Sequence, residues 1–230
     1  MNDEIIERKE IKYFINYFDY MVLKEILENN MVKDEKATNN KGFIRSLYFD
    51  TLSNKAFEEK QAGVLKRKKY RLRIYDFNSD KVKLEIKNKI NEQILKETAF
   101  ISKKDAIEVQ NENYEVLLKY KDPVLNKIYC EFKREIYKPV VIVEYTREAF
   151  NFPLNNIRIT FDKDIKVGSN NLDIFDKDIL MTPSLKRGTL VLEVKYNKFL
   201  PLWVKQIIQI PRFERSAISK YCIGRVGHYI

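Results

Sequence analysis

The chain is poor in the side chains that build the commonest catalytic and metal centres. It carries one histidine, His228, and two cysteines, Cys130 and Cys222. That excludes a structural zinc site and a disulfide framework, so any metal has to be held by carboxylates. A Ser/His/Asp or Cys/His arrangement would depend on His228, beside Gly227 and two residues before the last, where a surface or helix-end histidine is the simpler reading. Glycine and proline, six of each, are scattered, which leaves neither a flexible linker nor a repeat of 20 to 50 residues. Long apolar runs are missing too. The most apolar mid-chain stretch, Val140 to Val143, stops at Glu144, far short of the roughly 20 residues of a membrane span. Met1-Asn2-Asp3-Glu4 is acidic and polar where a signal peptide needs positive charge and then an apolar run, which predicts a cytoplasmic chain with reduced thiols. The 230 residues, 44% of them apolar, suffice for one globular domain over 1–230.

What the chain does have is positive charge. Lysine and arginine number 43 against 33 aspartates and glutamates, a formal net charge of +10. An acidic partner follows, whether nucleic acid, anionic lipid or phosphate.

Alternating apolar and polar residues predict about nine strands: 9–15, 43–50, 67–75, 81–89, 94–101, 128–136, 140–150, 157–165 and 190–197. Helical spacing fits 17–29, 51–59, 103–110, 114–120, 201–208 and 215–226, with Pro201 suited to a first turn. This order predicts an antiparallel α+β domain or a closed barrel.

Side chains two apart on a strand share a face, so Arg67, Lys69, Arg71, Arg73 and Tyr75 point one way and Leu72 and Ile74 the other. The same parity groups Lys81, Lys83, Glu85, Lys87 and Lys89, and likewise Arg158, Thr160 and Asp162. One triplet recurs, a glutamate and a lysine flanking an apolar residue: Glu10-Ile11-Lys12, Glu85-Ile86-Lys87, Glu131-Phe132-Lys133 and Glu193-Val194-Lys195. Such a pair can offer its carboxylate to a divalent cation and its ammonium to a phosphate oxygen. An ordinary sheet with one wet face explains any single triplet equally well. Taken together, however, the charged faces are cationic and arginine-rich, and several amphipathic helices need an apolar surface to cover. If helices cover the outside, the charged faces point inward, which describes a closed barrel with a basic lumen. Burying like charges is costly unless an anion of high charge density answers them. Nucleic acid fits less well, since a duplex needs an exposed groove and single-strand binders need exposed stacking aromatics. Tyr13, Tyr75 and Tyr145 are the candidates for that role.

Eight segments, in order, resemble the VTC domain, the polyphosphate polymerase branch of the triphosphate tunnel metalloenzymes. They are Arg8-Lys9-Glu10-Ile11-Lys12-Tyr13, Ser46-Leu47-Tyr48-Phe49-Asp50-Thr51, Lys69-Tyr70-Arg71-Leu72-Arg73-Ile74-Tyr75, Glu85-Ile86-Lys87, Tyr145-Thr146-Arg147-Glu148-Ala149-Phe150, Arg158-Ile159-Thr160-Phe161-Asp162, Leu192-Glu193-Val194-Lys195 and Ser219-Lys220-Tyr221. The resemblance implies an α+β fold: an antiparallel closed β-barrel, or tunnel, of about eight strands with helices packed outside. It further implies that Lys12, Arg71, Arg73, Lys87, Arg147, Arg158 and Lys220 bind phosphates, that Glu193 holds Mn²⁺ or Mg²⁺ with Glu10 and Glu85 helping, and that Tyr145 meets the base. Lys69, Lys195 and Ser219 complete the substrate-binding set, although charge balance explains Glu131, Lys133 and Lys195 equally.

The implied reaction transfers the γ-phosphate of ATP to a growing polyphosphate chain. Alternatives are a hydrolase of triphosphate or nucleoside triphosphate with the same architecture, and a non-catalytic polyphosphate binder. ATP and inorganic polyphosphate or triphosphate are the expected partners, with no nucleic acid and no membrane segment, which leaves room for a membrane-bound partner. One departure stands out: Ala217 and Ile218 occupy the stretch where eukaryotic polymerase members carry a further basic residue, with Arg212 and Arg215 nearby to compensate.

Overall fold

The computed structural model describes residues 8–35, 39–91, 93–208 and 216–226. Eight long or medium strands follow one another in a single antiparallel sheet. They are β1 (Arg8–Asn16), β3 (Phe43–Thr51), β4 (Lys66–Ile74), β5 (Lys81–Ile90), β6 (Gln93–Ser102), β7 (Tyr137–Phe152), β8 (Ile157–Gly168) and β10 (Thr189–Asn197), in the spatial order β1-β10-β8-β7-β3-β4-β5-β6. Two short strands, β2 (Val32–Lys33) on β7 and β9 (Thr182–Pro183) on β8, bring the total to ten.

The ladder does not close, which corrects the closed barrel expected from the sequence. β1 and β6 end the sheet as two edges. The outer edge of β1 is used by the C-terminal segment instead: Ser216 N donates to Lys12 O at 3.0 Å. The sheet nevertheless curls enough for Glu10 of β1 to meet Lys87 of β5 at 3.5 Å. The concave side is therefore a basin or tunnel wall rather than a sealed cylinder.

Helices α1 (Tyr17–Asn30), α2 (Lys55–Gln61), α3 (Lys103–Gln110), α4 (Pro123–Glu135), α5 (Leu202–Ile208) and α6 (Lys220–Val226) are joined by a 3₁₀ helix at Tyr114–Tyr120 and two short 3₁₀ turns at Asn39–Gly42 and Leu154–Asn156. The starts of α1, α3 and α4 follow ordinary capping chemistry. Asn16 accepts from Asp19 N at 2.8 Å, Ser102 from Asp105 N at 3.1 Å, and Asp122 precedes Pro123 at the first turn of α4. Residues 128–136 were expected as a strand and are mostly helix. Leu125, Ile128 and Phe132 recur at three- and four-residue spacing and bury one stripe of α4, a period that a short window confuses with alternation. Glu131-Phe132-Lys133 therefore has no strand face. Glu131 lies outside the barrel wall, paired with Lys68 and Tyr70.

Two apolar layers clothe the convex side. Under α1 and α5 lie Tyr13, Ile15, Ile159, Phe161, Leu192 and Val194. Under α3, α4 and the 3₁₀ helix lie Tyr70, Leu72, Ile74, Val82, Leu84 and Ile86. Each fully buried side chain of this size contributes roughly 1.5–3 kcal/mol. With the outer face so occupied, the alternate residues must turn inward. A third cluster sits on the concave side, where Ile218, Tyr221 and Ile223 pack against Val141, Val143 and Val167. A Cβ on Gly224 would lie 3.1 Å from both Val141 and Val143, so a bare backbone lets α6 lie this close to β7. No helix among the described residues is long and apolar enough to cross a membrane.

Candidate phosphate and metal site on the concave face

The inward residues form three charged groups. In the first, Lys12 Nζ stands 2.7 Å from Glu10 and 3.4 Å from Glu193. Lys195 ion-pairs with Glu193 and lies 3.8 Å from Glu10. Register explains the cluster, because Glu10 opposes Lys195 and Lys12 opposes Glu193 across β1 and β10. Against burial and the neighbouring Glu193, the ammonium groups of Lys12, Lys87 and Lys195 hold the Glu10 carboxyl down to about 2. Glu193 is likewise held well below the carboxylate range, against burial, by Lys195, Lys12, Arg147 and Lys220. Burial works against the charge of Lys12, but the two carboxylates raise its pKa above the usual lysine range.

In the second group, Arg147 of β7 grips Asp162 of β8 through two bonds, 2.6 and 2.8 Å. Lys220, the first residue of α6, ion-pairs with the same carboxylate. Asp162 is fully buried, and Arg147 and Lys220 overcome that burial to hold its carboxyl at about 2. The Tyr145 ring lies between them, 5.4 Å from the Arg147 guanidinium and 4.8 Å from the Lys220 ammonium. It is buried, and its hydroxyl accepts from Arg73 at 3.2 Å.

The third group lines β4 and β5. Arg71 Nε donates to Glu85 at 2.7 Å and its Nη1 to the Tyr48 hydroxyl at 3.2 Å. The other Glu85 oxygen takes Lys96 at 3.1 Å. Arg73 meets neutral partners, Ser46 at 3.0 Å and Tyr145, and among the described residues no carboxylate lies within ion-pair distance of it. Lys69 donates to Ser219 Oγ at 2.7 Å. Burial pushes the Lys69 ammonium down to about 8, with Lys60 and Lys12 adding repulsion. Lys87 falls to about 7, from burial first and Lys12 second. Lys69 and Lys87 are directly opposed across β4 and β5, as are Arg67 and Lys89, pairings of like charge that a sheet ordinarily avoids.

Most of the residues singled out from the sequence thus share this face. Arg158 stands apart, turned to Asp34 and Asn151 near the turn between β7 and β8. Tyr13 belongs to the outer core, and Tyr75 lies at the rim beyond β4. Arg212, Arg215 and His228 fall outside the described residues. Sequence reasoning missed Tyr48, Lys96 and the central part of Asp162. Parity with Ser46 and Asp50 marks Tyr48 as inward, and the register of β6 against Lys87 marks Lys96. Only the fold brings Arg147 and Lys220 to Asp162.

A divalent cation fits the donor set. Glu193 Oε1 is buried without a donor in hydrogen-bonding geometry, although Lys195 lies against it. Glu10 points at the same lysine. Among the described residues no three acidic, cysteine or histidine side chains converge as a metal cage. Mg²⁺-like ions commonly take one or two carboxylates and complete their shell with substrate phosphates and water, which suits two glutamates beside a row of cations.

Among solved structures the chain is similar to a Hippeastrum protein described as a putative adenylyl cyclase with a dominant triphosphatase activity. The two are 16% identical, with 98% of each chain covered and a TM-score of 0.58. A putative adenylate cyclase from Vibrio parahaemolyticus is 12% identical over 95% of this chain and 97% of its own, with a TM-score of 0.49. At such identities the Hippeastrum likeness shows a shared fold. No curated protein matches the chain. The family comparison reaches further, for the VTC domain model matches residues 7–227, and the chain belongs to the VTC domain family.

Proposed function

We propose that this protein is a metal-dependent polyphosphate polymerase that transfers the γ-phosphate of ATP to a growing polyphosphate chain on the concave face. The observation that carries the reading is the unanswered charge on β4 and β5. Among the described residues Arg73 and Lys69 have only neutral hydrogen-bond partners, and opposed lysines are buried enough to lose basicity. A polyanion supplies what this wall lacks.

In-line attack by a terminal phosphate oxygen on the γ-phosphorus forms one P–O bond and breaks the β,γ-bridging bond, releasing ADP. The charge spreads over the equatorial oxygens, so positioning and electrostatic stabilisation supply most of the rate. Arg71 and Arg73 donate to those oxygens through planar, fork-shaped guanidinium groups. Arg147 and Lys220 are pre-positioned by Asp162, so little reorganisation is needed when phosphate arrives. Glu193 and Glu10 would hold Mn²⁺ or Mg²⁺, which would neutralise negative charge developing on the phosphates. Lys12 keeps the two carboxylates from repelling each other.

Hydrolysis is the second reading. Water can attack where a chain end would, α6 covers part of the concave face, and the Hippeastrum structure is described as having a dominant triphosphatase activity. Incubation with ATP and Mn²⁺, with products resolved on a gel beside a free-phosphate assay, separates the two. Polymerisation gives a ladder of phosphate chains and ADP; hydrolysis gives free phosphate without a ladder. Neither product, together with tight polyphosphate binding, would leave a binding module.

A further inference from the structure

The row of the sheet that contains Arg73 continues into residues that the phosphate reading does not use. Arg73 of β4 opposes Lys83 of β5, and Lys83 opposes Phe100 of β6. Directly opposed residues share a face, and Arg73 points inward to Ser46 and Tyr145, so Lys83 and Phe100 are inward as well. Tyr75 follows Arg73 by one alternate step, about 7 Å further along the chain. Both rings are open to water, Tyr75 at 38% and Phe100 at 54%, while the neighbouring outward residues Ala99 and Ile101 fill the core. Lys83 Nζ lies 4.6 Å from the Tyr75 ring centre and 5.8 Å from that of Phe100.

This rim is at the end of the basin away from α6. Arg225 of α6 bonds to Asn54 beyond the last residues of β3, whereas Tyr75 follows Ile74, which pairs with Arg45 near the start of β3. A ligand entering past Tyr75 therefore meets two exposed aromatic faces and an ammonium first, then Arg73, then Arg71.

We propose that Tyr75, Lys83 and Phe100 form a nucleoside subsite, in which these exposed rings, in place of the buried Tyr145, take the base of a nucleoside triphosphate and Lys83 its sugar-proximal phosphate, so that the chain discriminates nucleotides from inorganic triphosphate. The inference rests on the triphosphate reading above and names what lies outside the phosphates. Inorganic triphosphate has no flat apolar part and gains nothing from the rings. A base gains roughly fivefold to 150-fold in affinity from stacking on one aromatic side chain.

Calorimetric titration with ATP and, separately, tripolyphosphate at one Mg²⁺ concentration tests this on wild type, Phe100→Ala, Tyr75→Ala and Tyr75→Phe. The alanine variants are expected to weaken ATP binding about tenfold, the lower part of that stacking range. Tripolyphosphate binding should stay within about twofold, because Arg71 and Arg73 are intact. Tyr75→Phe keeps the ring and should bind ATP as wild type does. Equal losses for the two ligands, or unchanged ATP binding in both alanine variants, would overturn the subsite and leave the triphosphate reading standing. Wild-type protein that binds neither ligand would overturn both. The rings are exposed and outside the core, so the variants are expected to fold, which circular dichroism verifies.

Discussion

The two halves of the concave face handle the same charges differently. On β1, β10 and β7, and on α6 packed against β7, the inward cations have carboxylates: Lys12 and Lys195 have Glu10 and Glu193, and Arg147 and Lys220 have Asp162 of β8. On β4 and β5 the inward cations outnumber them. Arg71 has Glu85, while Arg73 and Lys69 rest on hydroxyls. Buried ions retain their charge only when paired or when a ligand answers them. The balanced half is thus a framework whose cations are oriented without a ligand. The surplus half costs stability at folding, a cost that a bound polyanion would offset on the proposed function.

The sharpest way to break this comparison is to remove a carboxylate from one half and a cation from the other. Asp162→Asn leaves Arg147 and Lys220 buried without a counterion, and should cost about 3–5 kcal/mol of stability. Lys69→Met removes a cation that burial already disfavours, so stability should hold or rise while polyphosphate binding weakens. Urea unfolding of both variants reads the difference directly. If Lys69→Met loses as much stability as Asp162→Asn, the two halves are not distinct in the way argued.

A smaller but more specific effect is expected at Glu193. Glu193→Gln keeps the volume and removes the charge, and metal-dependent turnover should fall by about 100-fold, the scale of losing one well-placed electrostatic contact at a transition state. Assays below the unfolding transition separate this from the stability lost when Lys12 and Lys195 are left with Glu10 alone. Full activity at saturating Mn²⁺ would remove Glu193 from the metal site.

Much of this arrangement was legible before the fold. Alternation in β4 places Arg67, Lys69, Arg71 and Arg73 on one face because that periodicity is local to the strand. The bounds of β3, β5 and α3 come out within a residue or two for the same reason. Closure was not legible, since it depends on whether the edge of β1 finds β6 or the segment at Ser216. The helix over Ile128 failed because one buried stripe on a short helix mimics strand alternation. Asp162 was seen as an inward residue but not as the junction of Arg147 and Lys220, which come from β7 and α6 and are 73 residues apart in sequence.

The least effect, and the most diagnostic of the surplus half, is in the pH dependence of binding. Lys69 is held near 8, against an ordinary value of 10.5, by burial and by the nearby Lys60 and Lys12; Tyr48 and Cys222 also face it, and Ser219 Oγ accepts a hydrogen bond from it. Its folded pKa is below its unfolded one, so between about 8 and 10.5 the unfolded chain binds more protons and stability rises with pH. Asp162 and Glu10, each held near 2, act on the other side: their contribution is present above the ordinary carboxylate range and is lost as pH falls towards 2. A bound polyanion favours charged Lys69, so binding above pH 8 should take up a proton, and affinity should fall by up to about tenfold per pH unit. Titration of tripolyphosphate at pH 9 in two buffers of different ionisation enthalpy measures that uptake. Lys69→Arg keeps its charge at this pH and should take up one proton fewer than wild type, a difference in which the ligand's own titration cancels. Equal uptake by the two proteins would mean that Lys69 is already charged at pH 9, and that the β4 wall carries less unanswered charge than its partners indicate.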